Sequence, residues 1–132
     1  MARLWKNLID AVELKASAAE TTSTNGAEKS DARIASLKSG IAVLTVGPVS
    51  GTSPTLDVQI QGRDSASGTW ETLATVPTIT AAGTYIVNLE HFRSRMRYVS
   101  TIGGTSPSFT YSVVALALER RYSPSVGTVI TS

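Results

Sequence analysis

Cysteine is absent from the 132-residue chain. That absence removes disulfide stapling, a zinc–thiolate centre and a cysteine nucleophile at once. Any toughness must come from packing or assembly. Histidine occurs once, at His91, and Glu90 beside it does not make a catalytic triad. Serines are plentiful, but none stands in a nucleophile-elbow pattern, and the ten carboxylates are scattered rather than paired. No EF-hand loop, His-rich metal spacing or phosphate-cradling glycine loop is present. The chain is therefore expected to be no enzyme and to use no cofactor and no metal. Charge of one sign is scarce too. The formal net charge is only +2 despite a sequence pI near 9.2, so no nucleic acid partner is expected. No apolar run approaches the roughly 20 residues of a membrane helix. Met1 to Val12 lacks the apolar core and cleavage pattern of a signal peptide. No membrane partner is expected.

What the chain does have is one phrase used twice, Gly51-Thr52-Ser53-Pro54 and Gly104-Thr105-Ser106-Pro107. Each copy leads into an alternating run. Leu56, Val58 and Ile60 share one face of the first, and Phe109, Tyr111 and Val113 share one face of the second. Glycine permits a tight turn, Thr and Ser can bond the local backbone, and Pro presets φ before pairing begins. Two corner strands, each launched by a turn, are expected.

Around this pair the remaining elements fall in order. Leu4, Trp5, Leu8, Ile9 and Val12 have the spacing of one helix face in a segment covering residues 1 to 12. That segment is either a terminus packing on its own domain or an arm docking on a neighbour, and Trp5 needs cover in either case. Glu13 to Ala18 begins the first strand. Asn25-Gly26 is a strong hairpin signal within a polar stretch. Ala32 to Leu37 and Ile41 to Val46 read as the next strands. Gly68-Thr69-Trp70 closes a hairpin, with Trp70 as a plug for the sheet or a weak platform for a sugar. The peptide 76 to 83 reads as a loop, and Thr84 to Leu89 as a strand with Tyr85, Val87 and Leu89 on one face. Arg93, Arg95 and Arg97 then line one strand face at spacings of about 7 Å. They form either a solvated edge that discourages aggregation or a basic stripe for an acidic partner. From Val114 to Leu118 the last strand becomes continuously apolar, as in a strand buried on both faces or one with a bulge. Glu119 onward, with Arg121 and Tyr122, reads as a second extended arm.

Some eight or nine short strands with regular turn signals imply an all-β fold, an antiparallel β-sandwich or jelly roll. The expected organisation is an N-terminal arm over 1–12, a β-sandwich domain over 13–118 and a C-terminal arm over 119–132.

The order of these parts resembles a family of small phage virion structural proteins. The elements that carry the resemblance stand at Val12 to Ser17, Asn25-Gly26, Val49 to Gln61, Gly68 to Trp70 and Gly103 to Thr110. They span roughly residues 11 to 118. The resemblance implies a capsid decoration (cement) protein on the exterior of the virion. Its partners would be the major capsid protein and itself, as a trimer or dimer. A neck, tail or baseplate component is the alternative, including a carbohydrate- or receptor-binding module. On the cement reading the expected contact residues are Trp5, Leu8, Arg93, Arg95, Arg97, Arg121 and Tyr122.

Overall fold

Apolar–polar alternation does organise the chain into strands, but they are fewer and longer than their sequence spacing implies. The computed structural model describes residues 10–30 and 32–120. In chain order its elements are β1 (Asp10–Glu20), β2 (Thr24–Asn25), β3 (Lys29–Ser30), one helical turn α1 (Ala32–Ala35), β4 (Leu37–Arg63), β5 (Glu71–Thr75), β6 (Gly83–Leu89) and β7 (Arg95–Arg120). They form a seven-stranded antiparallel sheet along the path β1-β7-β4-β5, with β6 added on β4 and β2 and β3 on β7. Strands β4 and β7 pair from Leu37–Arg120 to Arg63–Arg95 and bend together midway, so the sheet closes over one shared core. The fold is all-β and sandwich-like.

The bend lies where the two Gly-Thr-Ser-Pro copies meet. Ser50 pairs with Ser108, Thr52 with Thr105 and Thr55 with Gly103, with register shifts around them. The copies are related by a local two-fold. Gly51 and Gly104 take φ values of +107° and +109°, and Ser53 and Ser106 both take +49°. A Cβ on Gly51 would stand 2.7 Å from the Ser106 carbonyl oxygen, and one on Gly104 would stand 2.7 Å from that of Ser53. Only glycine fits either place. Each left-handed serine costs about 1 kcal/mol, which the pairing on both sides has to hold in place. The sequence reading of two separate launching turns is thus corrected. Left-handed residues plus a proline bulge a strand without ending its ladder, so each copy sits inside a long strand opposite the other.

Inside the fold lie Leu44, Leu56, Val58, Ile60, Phe92, Phe109 and Tyr111, all fully buried. Tyr98, before the bend in β7, meets Tyr111, after it, edge to face at 6.3 Å. The 76–83 segment is pinned to β4 by reciprocal backbone bonds between Leu56 and Ile79 of 2.8 and 2.9 Å. Val76 and Ile79 are buried there.

Other expectations change for local physical reasons. Asn25-Gly26 makes no hairpin. Asn25 pairs with Val99, and Gly26 lies flat against the Tyr98 ring, where any Cβ would enter the ring. Ala32–Ala35 is helical rather than extended, because alanine-rich chain favours a helical turn. That turn and the residues after it bury Ile34 and Leu37 on the way into β4. Asp10, Ala11 and Val12 are strand rather than helix, with Val12 in the core.

The last strand does not change phase. Phe109, Tyr111, Val113, Ala115 and Ala117 all face the core, while Val114 and Leu116 lie half-exposed on the other side. The register extends that side into an aliphatic outer face. Ile86, Val43 and Val114 lie in one row across β6, β4 and β7, and Ile41, Leu116 and Ala11 lie in rows across β4, β7 and β1. Ile86 is 59% and Leu118 45% exposed. The continuous apolar sequence reflects two unlike faces, one in the core and one partly exposed.

Gly51→Ala and Gly104→Ala are each expected to destabilise the fold by about 1–3 kcal/mol in urea titrations. The double variant should lose less than the sum, since both act on one corner. Ser53→Gly should be close to neutral, and a large loss there would contradict the strained-corner account.

Candidate partner-binding face

Two polar clusters stand out, and their surroundings give them different roles. In the first, Glu20 at the end of β1 accepts hydrogen bonds from Tyr98 Oη at 2.7 Å, Tyr111 Oη at 2.6 Å and Ser100 Oγ at 2.7 Å. Nearby, the buried Lys15 Nζ donates to the carbonyl oxygens of Ala16, Ala18 and Tyr111, and lies 4.2 Å from the Tyr111 ring centroid. Every polar group here is engaged by another. The cluster ties the irregular stretch of β1, whose register slips at Glu13–Lys15 and Lys15–Ala18, to both halves of β7. That is structural work, since the carboxylate has three hydroxyl donors and the ammonium three carbonyl acceptors.

The second cluster lies on the outer face of the sheet half that carries β5. Strand alternation turns Met96 and Tyr98 inward and leaves Arg95 and Arg97 half-exposed. Across the ladder Arg95 faces Arg63, and Arg97 faces Gln61. Two guanidinium groups directly opposite each other repel unless a charge lies between them. Glu28 supplies that charge. It forms ion pairs with both Arg63 and Arg95, and hydrogen bonds from Arg63 and then Arg95 hold its carboxyl below the usual range. Arg63 also donates to the Gly68 carbonyl at 3.1 Å.

Arg97 is held differently. Its Nε and Nη2 both donate to the neutral Gln61 Oε1, at 3.0 and 2.8 Å. Among the described residues no carboxylate comes within ion-pairing distance of it. Burial, then repulsion from Arg63, lower its pKa against the opposing pull of Glu28. The half-exposed Trp70 completes the face, with the Arg63 and Arg97 guanidinium carbons 4.3 and 4.2 Å from its ring. A shallow depression lined by Ser30, Asp64, Ser94 and Arg95 adjoins it.

Of the contact residues expected from sequence, Trp5, Leu8, Arg121 and Tyr122 lie outside the described residues. Arg93, Arg95 and Arg97 do not act as one stripe. Arg93 precedes β7 and is neutralised by Glu71 at 2.7 Å and Asp64 at 3.2 Å. Hydrogen bonding from Arg93, with a lesser one from His91, lowers the Glu71 pKa. His91 Nε2 lies 3.3 Å from Glu71 Oε2. Arg95 shares Glu28, and Arg97 stacks on Trp70. Trp70 is no core plug. Arg63, Glu28 and Gln61 were missed, because only the β4–β7 register and the placement of the 24–30 segment bring them beside Arg95 and Arg97.

No family model matches the chain, and no curated protein matches it. Solved structures resemble it at a distance. The SPBc2 prophage-derived protein YomS shares 11% identity at a TM-score of 0.44, covering 82% of this chain and 94% of its own. PirA shares 13% at 0.41, covering 81% and 91%. A chain from infectious bursal disease virus, Gx strain, shares 14% at 0.45, with 86% of this chain but only 32% of the viral one. Likenesses this weak assign neither ancestry nor function.

The Glu20 cluster makes stability sensitive to alkali. Burial first, then the hydrogen bond to Glu20 and its charge, raise the phenol pKa of Tyr98 and Tyr111 above their ordinary value of 10. A raised folded pKa gives stability that is complete below the unfolded value and lost as pH climbs towards the folded one. Lys15 works oppositely. Burial lowers its pKa against the pull of Glu20, so its contribution improves as pH rises towards 10.5. With two phenols against one ammonium, unfolding free energy is expected to fall as pH rises above about 10. The Tyr98→Phe/Tyr111→Phe variant should be less stable at neutral pH yet show a flatter alkaline decline. An unchanged slope in urea titrations would contradict the cluster's role.

Proposed function

We propose that the chain is a structural protein of a phage virion, a decoration (cement) protein that binds the major capsid protein lattice on the head exterior. The observation that carries the reading is a bent, corner-braced scaffold with two outer faces of unlike chemistry. One is aliphatic, around Ile86, Val43, Val114 and Leu116; the other is cationic and aromatic, around Arg63, Arg95, Arg97 and Trp70. A bridging protein needs two such surfaces, one for copies of itself and one for the lattice. The ordered sequence resemblance over roughly residues 11 to 118 supports the same reading.

The mechanism is adhesion. Binding the assembled shell and not its separated subunits stabilises the shell by mass action. Exposed aliphatic surface rimmed by polar residues favours association, so Ile86 and its row neighbours are assigned to self-contact in a dimer or trimer. The proposed role is non-enzymatic. A receptor-binding role on a sugar has less support, because guanidinium groups already occupy the ring of Trp70 that a sugar would stack on.

The full chain is expected to co-sediment saturably with expanded heads of its phage, at a fixed ratio to the major capsid protein, and to raise their resistance to heat. Absence from heads together with presence in purified virions would move it to the neck, tail or baseplate. Removal of residues 1–9 should weaken head binding without unfolding the domain, and undiminished binding would discard the N-terminal arm. In light scattering, Ile86→Lys is expected to convert an oligomer to a monomer with an unchanged circular dichroism spectrum. A native chain that is monomeric at all concentrations would remove the aliphatic face from the assembly.

A further inference from the structure

Three guanidinium groups, of Arg63, Arg95 and Arg97, gather on one outer face around the single carboxylate of Glu28. Glu28 is fully used by the first two. Arg97 is left with one neutral acceptor, the Gln61 amide oxygen, on its Nε and Nη2. Its Nη1 makes no hydrogen bond to a described residue. Arg97 is also fixed in place, by stacking on Trp70 and by the Gln61 bonds, so little side-chain freedom remains to be lost on binding. A positioned, incompletely paired guanidinium is a receptor for an anion.

The surroundings decide which anion. Asp64 and Glu71 flank the face at Arg93, and Glu28 lies within it, so an extended polyanion would meet repulsion on several sides. One side-chain carboxylate, entering beside Gln61, meets the one guanidinium of the three that has no ion pair among the described residues. We propose that Arg97, backed by Trp70, anchors a single glutamate or aspartate side chain of an otherwise neutral peptide segment on the partner. Arg93 takes no part, because Glu71 and Asp64 already neutralise it. This deepens the proposed capsid contact and rests on that reading only for the source of the segment.

The test uses the full chain carrying Trp5→Phe, which leaves Trp70 as its one tryptophan. Its fluorescence is titrated with a peptide carrying one glutamate among neutral residues and with the same peptide carrying glutamine in its place. A saturable change with the first and none with the second is expected. Arg97→Gln should weaken that binding about tenfold, the loss of one charge-assisted hydrogen-bonding partner, and Arg93→Gln should leave it unchanged. Should Arg97→Gln fail to fold by circular dichroism, Arg97→Lys replaces it, with a smaller loss expected because the charge stays and the planar fork goes. No saturable change, an equal loss in Arg93→Gln, or an equal response to polygalacturonate or inorganic phosphate would overturn the assignment. Head co-sedimentation separates the two ideas. Heads that bind Arg97→Gln as well as the native chain sink the anchor and spare the capsid reading. A chain that binds the glutamate peptide but no heads does the reverse.

Discussion

The structure depends on one constraint: two long strands must bend at the same place without losing their pairing. Strands β4 and β7 together supply the ladder on which β1, β5, β6 and the short β2 and β3 are hung. If one bent without the other, the ladder would break at the corner and its backbone groups would lose their partners. The repeated Gly-Thr-Ser-Pro solves this by symmetry. Each copy places its left-handed glycine against the backbone of the other, so the two bulges occur opposite one another and the strands turn as a pair. Once the corner is made, Tyr98 and Tyr111 face each other across the interior. Glu20 can then reach the hydroxyls of both.

The same corner separates the molecule's two outer surfaces. Inner residues of β4 and β7 are consumed by the shared core on both sides of the bend, so the outward positions are free to differ. On one side they are aliphatic, and on the other they carry arginine and glutamine, with the Trp70 indole from the β4–β5 connection laid beside them. Two clusters of charge, one interior and one on the outer face, illustrate the contrast between structural and available polarity. Around Glu20 and Lys15, donors and acceptors match and the site is closed. Around Arg97, positive charge exceeds its local partners and the site is open to a further carboxylate.

Much of the fold was legible in residue patterns, and the limits of that reading have identifiable causes. The alternations at Leu56 to Ile60, Tyr85 to Leu89 and Phe109 to Val113 were each read as sharing one face, and they do, because a period of two is a local property. Joining them was not local. A Gly and a Pro mark a departure from regular strand but do not say whether the ladder ends or only bulges, so long strands were divided into short ones. Asn25-Gly26 misled for a similar reason. Its glycine answers to a ring more than seventy residues away, not to a turn.

The candidate site divides along the same line. Chain order alone established that arginines recur at 93, 95 and 97, that cysteine chemistry is excluded and that one phrase is written twice. These follow from residue identity and spacing. Which arginine is neutralised, which is left open, and that Trp70 lies beside Arg63 and Arg97 rather than in the core were decided only by the tertiary structure. Charge pairing depends on the through-space distance between side chains, and that distance is set by the register of β4 on β7, which no local stretch of sequence contains.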